Sequence, residues 1–128
     1  MREIKFRGQR VDTKEWVYGY LVKGDENSTS TCYILTHGVN GLRCEVIPKT
    51  VGQFTGLKDS KGKDVYEGDV LHGSKTSPKY EVRMNSGEWS ACYKYRGNGG
   101  TIPIYDRQKL FEIIGTIHDT PSLLEVGK

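Results

Sequence analysis

GLKDSKGKDVYEGDVL, residues 56–71, sets three lysines and four acidic side chains into sixteen positions. Whether it is a metal loop, a carboxylate cluster or a turn decides how the rest of the chain is read. A calcium loop needs oxygen ligands at alternating positions and a bidentate acid at its end. Here Lys61 and Lys63 stand between Asp59 and Asp64, where ligands are required. Asp64, Glu67 and Asp69 are near enough in sequence to share a proton and act as acid and base, but solvated turn acids are far commoner. As a turn the stretch is self-consistent. Gly62 supplies a positive φ, Asp59 and Ser60 bond back to local N–H groups, and Gly68 permits a second bend before Asp69. The expectation is a structural turn built on Asp59, Gly62, Gly68 and Asp69, with extended chain on either side.

Strand signals recur on both sides of it. In EIKFRG, Ile4 and Phe6 alternate with Lys5 and Arg7, the period of a half-buried strand. WVYGYLVKG puts Trp16, Tyr18, Tyr20 and Val22 on one face and Val17, Gly19, Leu21 and Lys23 on the other, so it reads as a central strand. DENSTST is a polar loop. CYILTHG and LRCEVIP flank VNG, and Asn40-Gly41 between two alternating runs is a strong hairpin signal. A meander of about four strands thus fills residues 3 to 48. TVGQFTGLKD, with two glycines, reads as irregular or extended chain rather than helix. Downstream, VLHG, KYEVRMN (Tyr80, Val82 and Met84 inward), WSACYKY (Trp89, Ala91, Tyr93 and Tyr95 on one face), TIPIY and FEIIGTIHD (Phe111, Ile113, Gly115 and Ile117 on one face) read as five strands. SGE and RGNGG are their turns, and DRQKL is a single helical turn.

Length and composition agree with this. A chain of 128 residues forms one ordinary domain with a real core. Thirteen aromatics, eight of them Tyr, give large bodies with polar tips, and sixteen glycines against four prolines favour short strands and tight turns. Short strands at this spacing indicate a sandwich or barrel. The expected architecture is mainly β: an N-terminal antiparallel meander (residues 1–56) packed on a C-terminal SH3-like small barrel (residues 57–128) with a short tail, together one compact unit. A mixed α+β arrangement is the alternative. A net charge of +3 permits nucleic-acid contact without arguing for it. Three cysteines, none in a C-x-x-C pair, indicate a reduced intracellular protein. MREIKFRGQR has no apolar h-region and nowhere do eighteen apolar residues run together, so neither a secretion signal nor a membrane span is expected.

The same stretches carry a family resemblance. Through IKFRG, WVYGYL, TVGQFTGLKDSKGKDVYEGDVL and the closing EIIGTIHD, the chain resembles the YopX-like proteins of phages and prophages over nearly its whole length. That resemblance implies a mainly β protein with an SH3-type C-terminal part, acting in the bacterial cytoplasm. It implies no activity and no functional residues.

The sites must therefore be weighed on their chemistry. Cys32, His37 and Cys44 are spaced C-x4-H-x6-C, but tetrahedral zinc needs a fourth ligand that is not nearby in sequence, so the cysteines read as small buried hydrophobes. No G-x-S-x-G, no phosphate loop opening a helix and no paired catalytic acids appear. No catalytic residue, metal or cofactor is expected. The better signal is YKYRGNGG, where aromatics for stacking bases and cations for phosphate occur together. Yet alternation sets Tyr93 and Tyr95 opposite Lys94 and Arg96. Lys5, Arg7 and Arg10 form a second basic row. The resulting expectation is a non-catalytic binding module for a host or phage protein, or for a second copy of itself. Nucleic-acid contact through Lys5, Arg7, Arg10, Tyr93, Lys94, Tyr95 and Arg96 is the alternative, and an enzyme with an unrecognised site is a further one. No membrane contact is expected.

Overall fold

The structure, a computed structural model, describes residues 5–23, 31–36, 42–73, 78–85, 87–95, 98–104 and 110–120, with backbone alone at 85, 94, 95 and 98. Among these residues it is almost entirely extended, with eleven strands and one 3-10 turn at Pro48–Thr50. No helix among them is long and apolar enough to cross a membrane. The chain divides into two compact units, residues 1–54 and 55–128.

In the first unit β1 (Phe6–Gln9), β2 (Trp16–Lys23), β3 (Cys32–Thr36) and β4 (Arg43–Val46) form an antiparallel meander. The beginning of β5 (Gly52–Lys58) pairs with the free side of β1. β2 is a central strand, between β1 and β3. The meander curls until its outer strand meets its inner one. A bridge joins Arg10 to Val46, Ile47 N–H donates to Gln9 O at 2.9 Å, and Val11 N–H donates to Glu45 O at 3.2 Å. Two glycines permit that curl. A Cβ on Gly8 would meet the Val46 side chain at 3.0 Å, and one on Gly19 would lie 2.1 Å from Leu35 O. The concave side buries Ile34, Cys44 and Val46. The Asn40-Gly41 turn lies outside the described residues, although β3 and β4 pair as the hairpin requires.

The second unit begins within β5. Its far half pairs with β6 (Asp64–Tyr66), and the five remaining strands form a second sheet in the order β10-β9-β8-β7-β11. These are β7 (Asp69–His72), β8 (Tyr80–Asn85), β9 (Glu88–Tyr95), β10 (Asn98–Pro103) and β11 (Glu112–Thr116). β7 to β10 follow one another as hairpins, and β11 returns beside β7. The sheet is not closed among the described residues, since no ladder joins β10 to β11. One face carries the core, with Leu71, Tyr80, Val82, Trp89 and Ala91 against Val65, Ile104 and Phe111.

TVGQFTGLKD is extended rather than helical, as expected, and its extended chain is a regular strand, β5. Two features differ from the pattern read in the sequence. Asn98-Gly99-Gly100 is part of β10 and not of a turn, because Tyr93 lies opposite Gly100, where a Cβ would sit 2.8 Å from its hydroxyl. The alternation in β11 breaks at a bulge between Ile113 and Gly115, which leaves Ile114 exposed and Thr116 buried.

Residues 56–71 form the corners that organise this unit. The Asp59 carboxylate is 5% exposed as a residue. Its Oδ1 accepts the N–H groups of Lys61 (2.9 Å) and Lys63 (2.8 Å), and its Oδ2 accepts that of Ile113 (2.9 Å). Ser60 N–H donates to Phe111 O at 2.8 Å. The turn therefore lies along the edge of β11 that β7 does not use, and Asp59 fills the acceptor position of a neighbouring strand. Burial pushes the Asp59 carboxyl up, but the amides of Ile113, Lys63 and Lys61, with the Lys63 charge, outweigh it and hold the pKa below the ordinary carboxylate value.

The second corner is tied just as tightly. Asp69 is fully buried and accepts Tyr66 N–H at 2.7 Å. Gly68, at φ 94°, donates to Val82 O and accepts from Ile117 N–H, both at 3.0 Å. The Lys58–Asp64 pair at 2.7 Å is exposed on the lysine side and contributes less than about 1 kcal/mol. Gly62 has φ 82° and open space around it. Gly62→Ala should therefore cost about 1 kcal/mol from backbone strain alone, and Gly62→Asn less, as urea unfolding of the two variants checks.

Candidate binding face

The first unit presents its most distinctive surface on the side away from Ile34 and Val46. Directly opposed residues of an antiparallel ladder share a face. The pairs Gln9↔Trp16, Arg7↔Tyr18, Tyr20↔Leu35, Val22↔Tyr33, Leu35↔Arg43 and Tyr33↔Glu45 thus gather on one side of β1–β4. Gly19 permits the close approach of β3, and with it the row Tyr20–Leu35–Arg43. Tyr18 is 45%, Tyr20 54%, Val22 38% and Leu35 37% exposed. A cluster of apolar and aromatic groups at this exposure is unusual on a sheet face that needs only to be solvated.

Cations border those rings on the same side. The Arg43 guanidinium lies 4.0 Å from the Tyr33 ring centroid, Arg7 lies 4.4 Å from that of Trp16, and Lys5 Nζ lies 4.7 Å from that of Phe54. Arg43 is exposed and Lys5 half-buried. Arg7 is only 5% exposed, so alternation alone misplaces it. Stacking on Trp16 draws it under cover while Phe6 stays half-buried.

The residues singled out by sequence are not all brought together. Alternation along β1 separates Arg10 from Lys5 and Arg7. Arg10 grips Asp12 instead, Nε to Oδ1 at 3.0 Å and the terminal nitrogen to Oδ2 at 2.9 Å. That contact raises the Arg10 pKa and lowers that of Asp12. In the second unit Tyr93 faces the core, edge-on to Tyr80 at 5.5 Å. The side chains of Lys94 and Tyr95, and all of Arg96, lie outside the described residues. Tyr18, Tyr20, Tyr33, Leu35 and Arg43 were not candidates from sequence. The signal was present in the two-sided apolar character of WVYGYLVKG, which marks a strand with one face buried and another left apolar in solvent.

The alternatives gain nothing in space. Among the described residues no group of three His, Cys, Asp or Glu could hold a metal ion. Cys32 and Cys44 share the concave face, Cys44 buried, and His37 lies outside the described residues. Cys92 stands opposite Glu81, which pairs with Arg83 at 2.8 Å. Burial pushes the Cys92 thiol up, and Glu81 adds to this against the opposing charge of Arg83, which disfavours the thiolate that a nucleophile needs.

A family model described as YopX protein matches residues 5–125. No curated protein matches the chain. Among solved structures, the crystal structure of protein EF1440 from Enterococcus faecalis is similar in fold, with a TM-score of 0.50 and 21% identity, covering 98% of this chain and 100% of that one.

Proposed function

The chain belongs to the YopX family, and we propose that it is a phage or prophage accessory protein of the bacterial cytoplasm, a binding module without chemistry of its own. The observation that carries this reading is the exposed face around Tyr18, Tyr20 and Leu35, a cluster of large aromatic and apolar side chains left about half exposed on one sheet face. Three unbridged cysteines support a reducing compartment. In the second unit, a meander whose last strand returns beside its first supports reading β7–β11 as an SH3-like barrel in opened form. A near-balanced composition is compatible with a host or phage protein, a second copy of the chain, or a nucleic acid as the partner. The cations gathered on the tyrosine side favour an anionic one.

Affinity purification from an infected or lysogenic host, with the wild type and Tyr20→Glu as paired baits and with and without nuclease treatment, tests the face. Tyr20 is surface-exposed, so the variant should unfold within about 0.5 kcal/mol of wild type. The expected result is a partner retained by wild type and lost by Tyr20→Glu. A partner held equally by both places the binding surface elsewhere. If the chain is its own partner, light scattering shows a dimer that Tyr20→Glu dissociates.

A further inference from the structure

We infer that the partner of this face is a single-stranded nucleic acid, its bases stacking on Tyr18 and Tyr20 and its phosphates meeting Arg43 and Lys5. The inference rests on the reading of that face as the binding surface and adds the class of ligand. Tyr18 and Tyr20 are two residues apart on one strand, about 6.7 Å along it. That spacing gives consecutive unstacked bases one ring each, and both rings are about half exposed. Flanking them are the two ends of an anion track. Arg43 lies two strands beyond Tyr20, about 10 Å away, reached through Leu35. Lys5 lies on the β1 side, held over Phe54.

The charge on this side is complementary to a polyanion. Among the described residues, this side carries Lys5, Arg7, Arg43 and one acid, Glu45; Arg7 is buried and acts through its field rather than by contact. An acidic peptide would satisfy the cations but would bring nothing planar to the two phenol rings. A single-stranded nucleic acid satisfies both. Duplex is disfavoured, because its bases are already stacked and the face is a sheet surface with no helix or ribbon to enter a groove. In YKYRGNGG the same residue types alternate across a strand; here pairing between strands gathers them on one side.

The test is fluorescence anisotropy of the full chain with labelled oligothymidylate and mixed-sequence RNA of about 20 nucleotides, longer than the roughly 4–16 nucleotides a small β domain covers. Titrations are run at about 50 and 200 mM salt. Two phosphate contacts predict a loss of about sevenfold in affinity over that range. Tyr18→Ala and Tyr20→Ala should each weaken binding by about tenfold. Arg43→Ala should weaken it and flatten the salt dependence. A duplex of the same length should bind more weakly than either single strand. Absence of saturable binding at low salt, binding that Tyr20→Ala leaves unchanged, or preference for duplex overturns the inference. If these titrations fail while Tyr20→Glu still loses a nuclease-resistant protein partner, the face stands as a protein-binding surface and the nucleic acid is wrong. If neither experiment responds to Tyr20, both readings fall.

Discussion

Asp59→Ala lowers the unfolding free energy by about 3 kcal/mol and the melting temperature by roughly 10 °C. The carboxylate holds the amides of Lys61, Lys63 and Ile113 at 2.8 to 2.9 Å. Hydrogen bonds to a charged group contribute about 1.5–3 kcal/mol each when buried. The two lysine amides lie in an exposed turn where water replaces part of the loss, so the total falls well below the sum. The Ile113 amide has no such substitute in the edge position that Asp59 fills. Asp59→Asn keeps the shape but turns an amide donor toward N–H groups, and should lose about 2 kcal/mol. The effect also has a defined pH dependence. Asp59 titrates below its unfolded value, near 3.9. Its contribution is complete above that unfolded value and is lost as pH falls through the folded one. Urea unfolding of wild type and Asp59→Asn should therefore differ by a constant amount from pH 7 to 5 and converge below about pH 4.

Gly19→Ala should be at least as damaging, by about 3 kcal/mol or more. A Cβ there lies 2.1 Å from Leu35 O and 2.9 Å from Leu35 C, and both are backbone atoms of the adjacent strand. Overpacking against movable side chains costs about 1–3 kcal/mol. Here relief requires separating β2 from β3, whose pairing runs from Gly19↔Thr36 to Lys23↔Cys32. The expected readout is loss of amide protection across β2, β3 and β4 together. The variant should also lose the Tyr20–Leu35–Arg43 row, because it depends on the same register. Protection equal to wild type in Gly19→Ala would show that β3 can withdraw without cost.

The contrast between these two sites shows what could be read along the chain and what could not. Asp59, Gly62, Gly68 and Asp69 were legible as turn residues because their chemistry is local: the bonds to Lys61 and Lys63 span two and four positions. The third bond, to Ile113, spans 54 positions, and no periodicity reports it. The four-strand meander was legible because WVYGYLVKG and CYILT are short runs of β-branched and aromatic residues bounded by turn chemistry, Asn40-Gly41 above all. β5 was legible only as irregular or extended chain, since its glycines at 52 and 56 mimic loop chemistry while pairing with β1 supplies the regular order. Arg7 and Arg10 look alike in sequence, yet one stacks under cover on Trp16 and the other pairs with Asp12 in a turn. Pairing between strands, rather than spacing within one, decided which cations meet which rings.

The central claim is that residues 56–71 are scaffold, with Asp59 as the acceptor that holds the edge of β11. An NMR titration of the wild-type chain, following the Asp59 carboxyl carbon with the amides of Lys61, Lys63 and Ile113, tests it most directly. The account predicts one shared midpoint below about 3.9 for all four signals. A carboxyl that titrates at or above that value, or an Ile113 amide that ignores the transition, contradicts it.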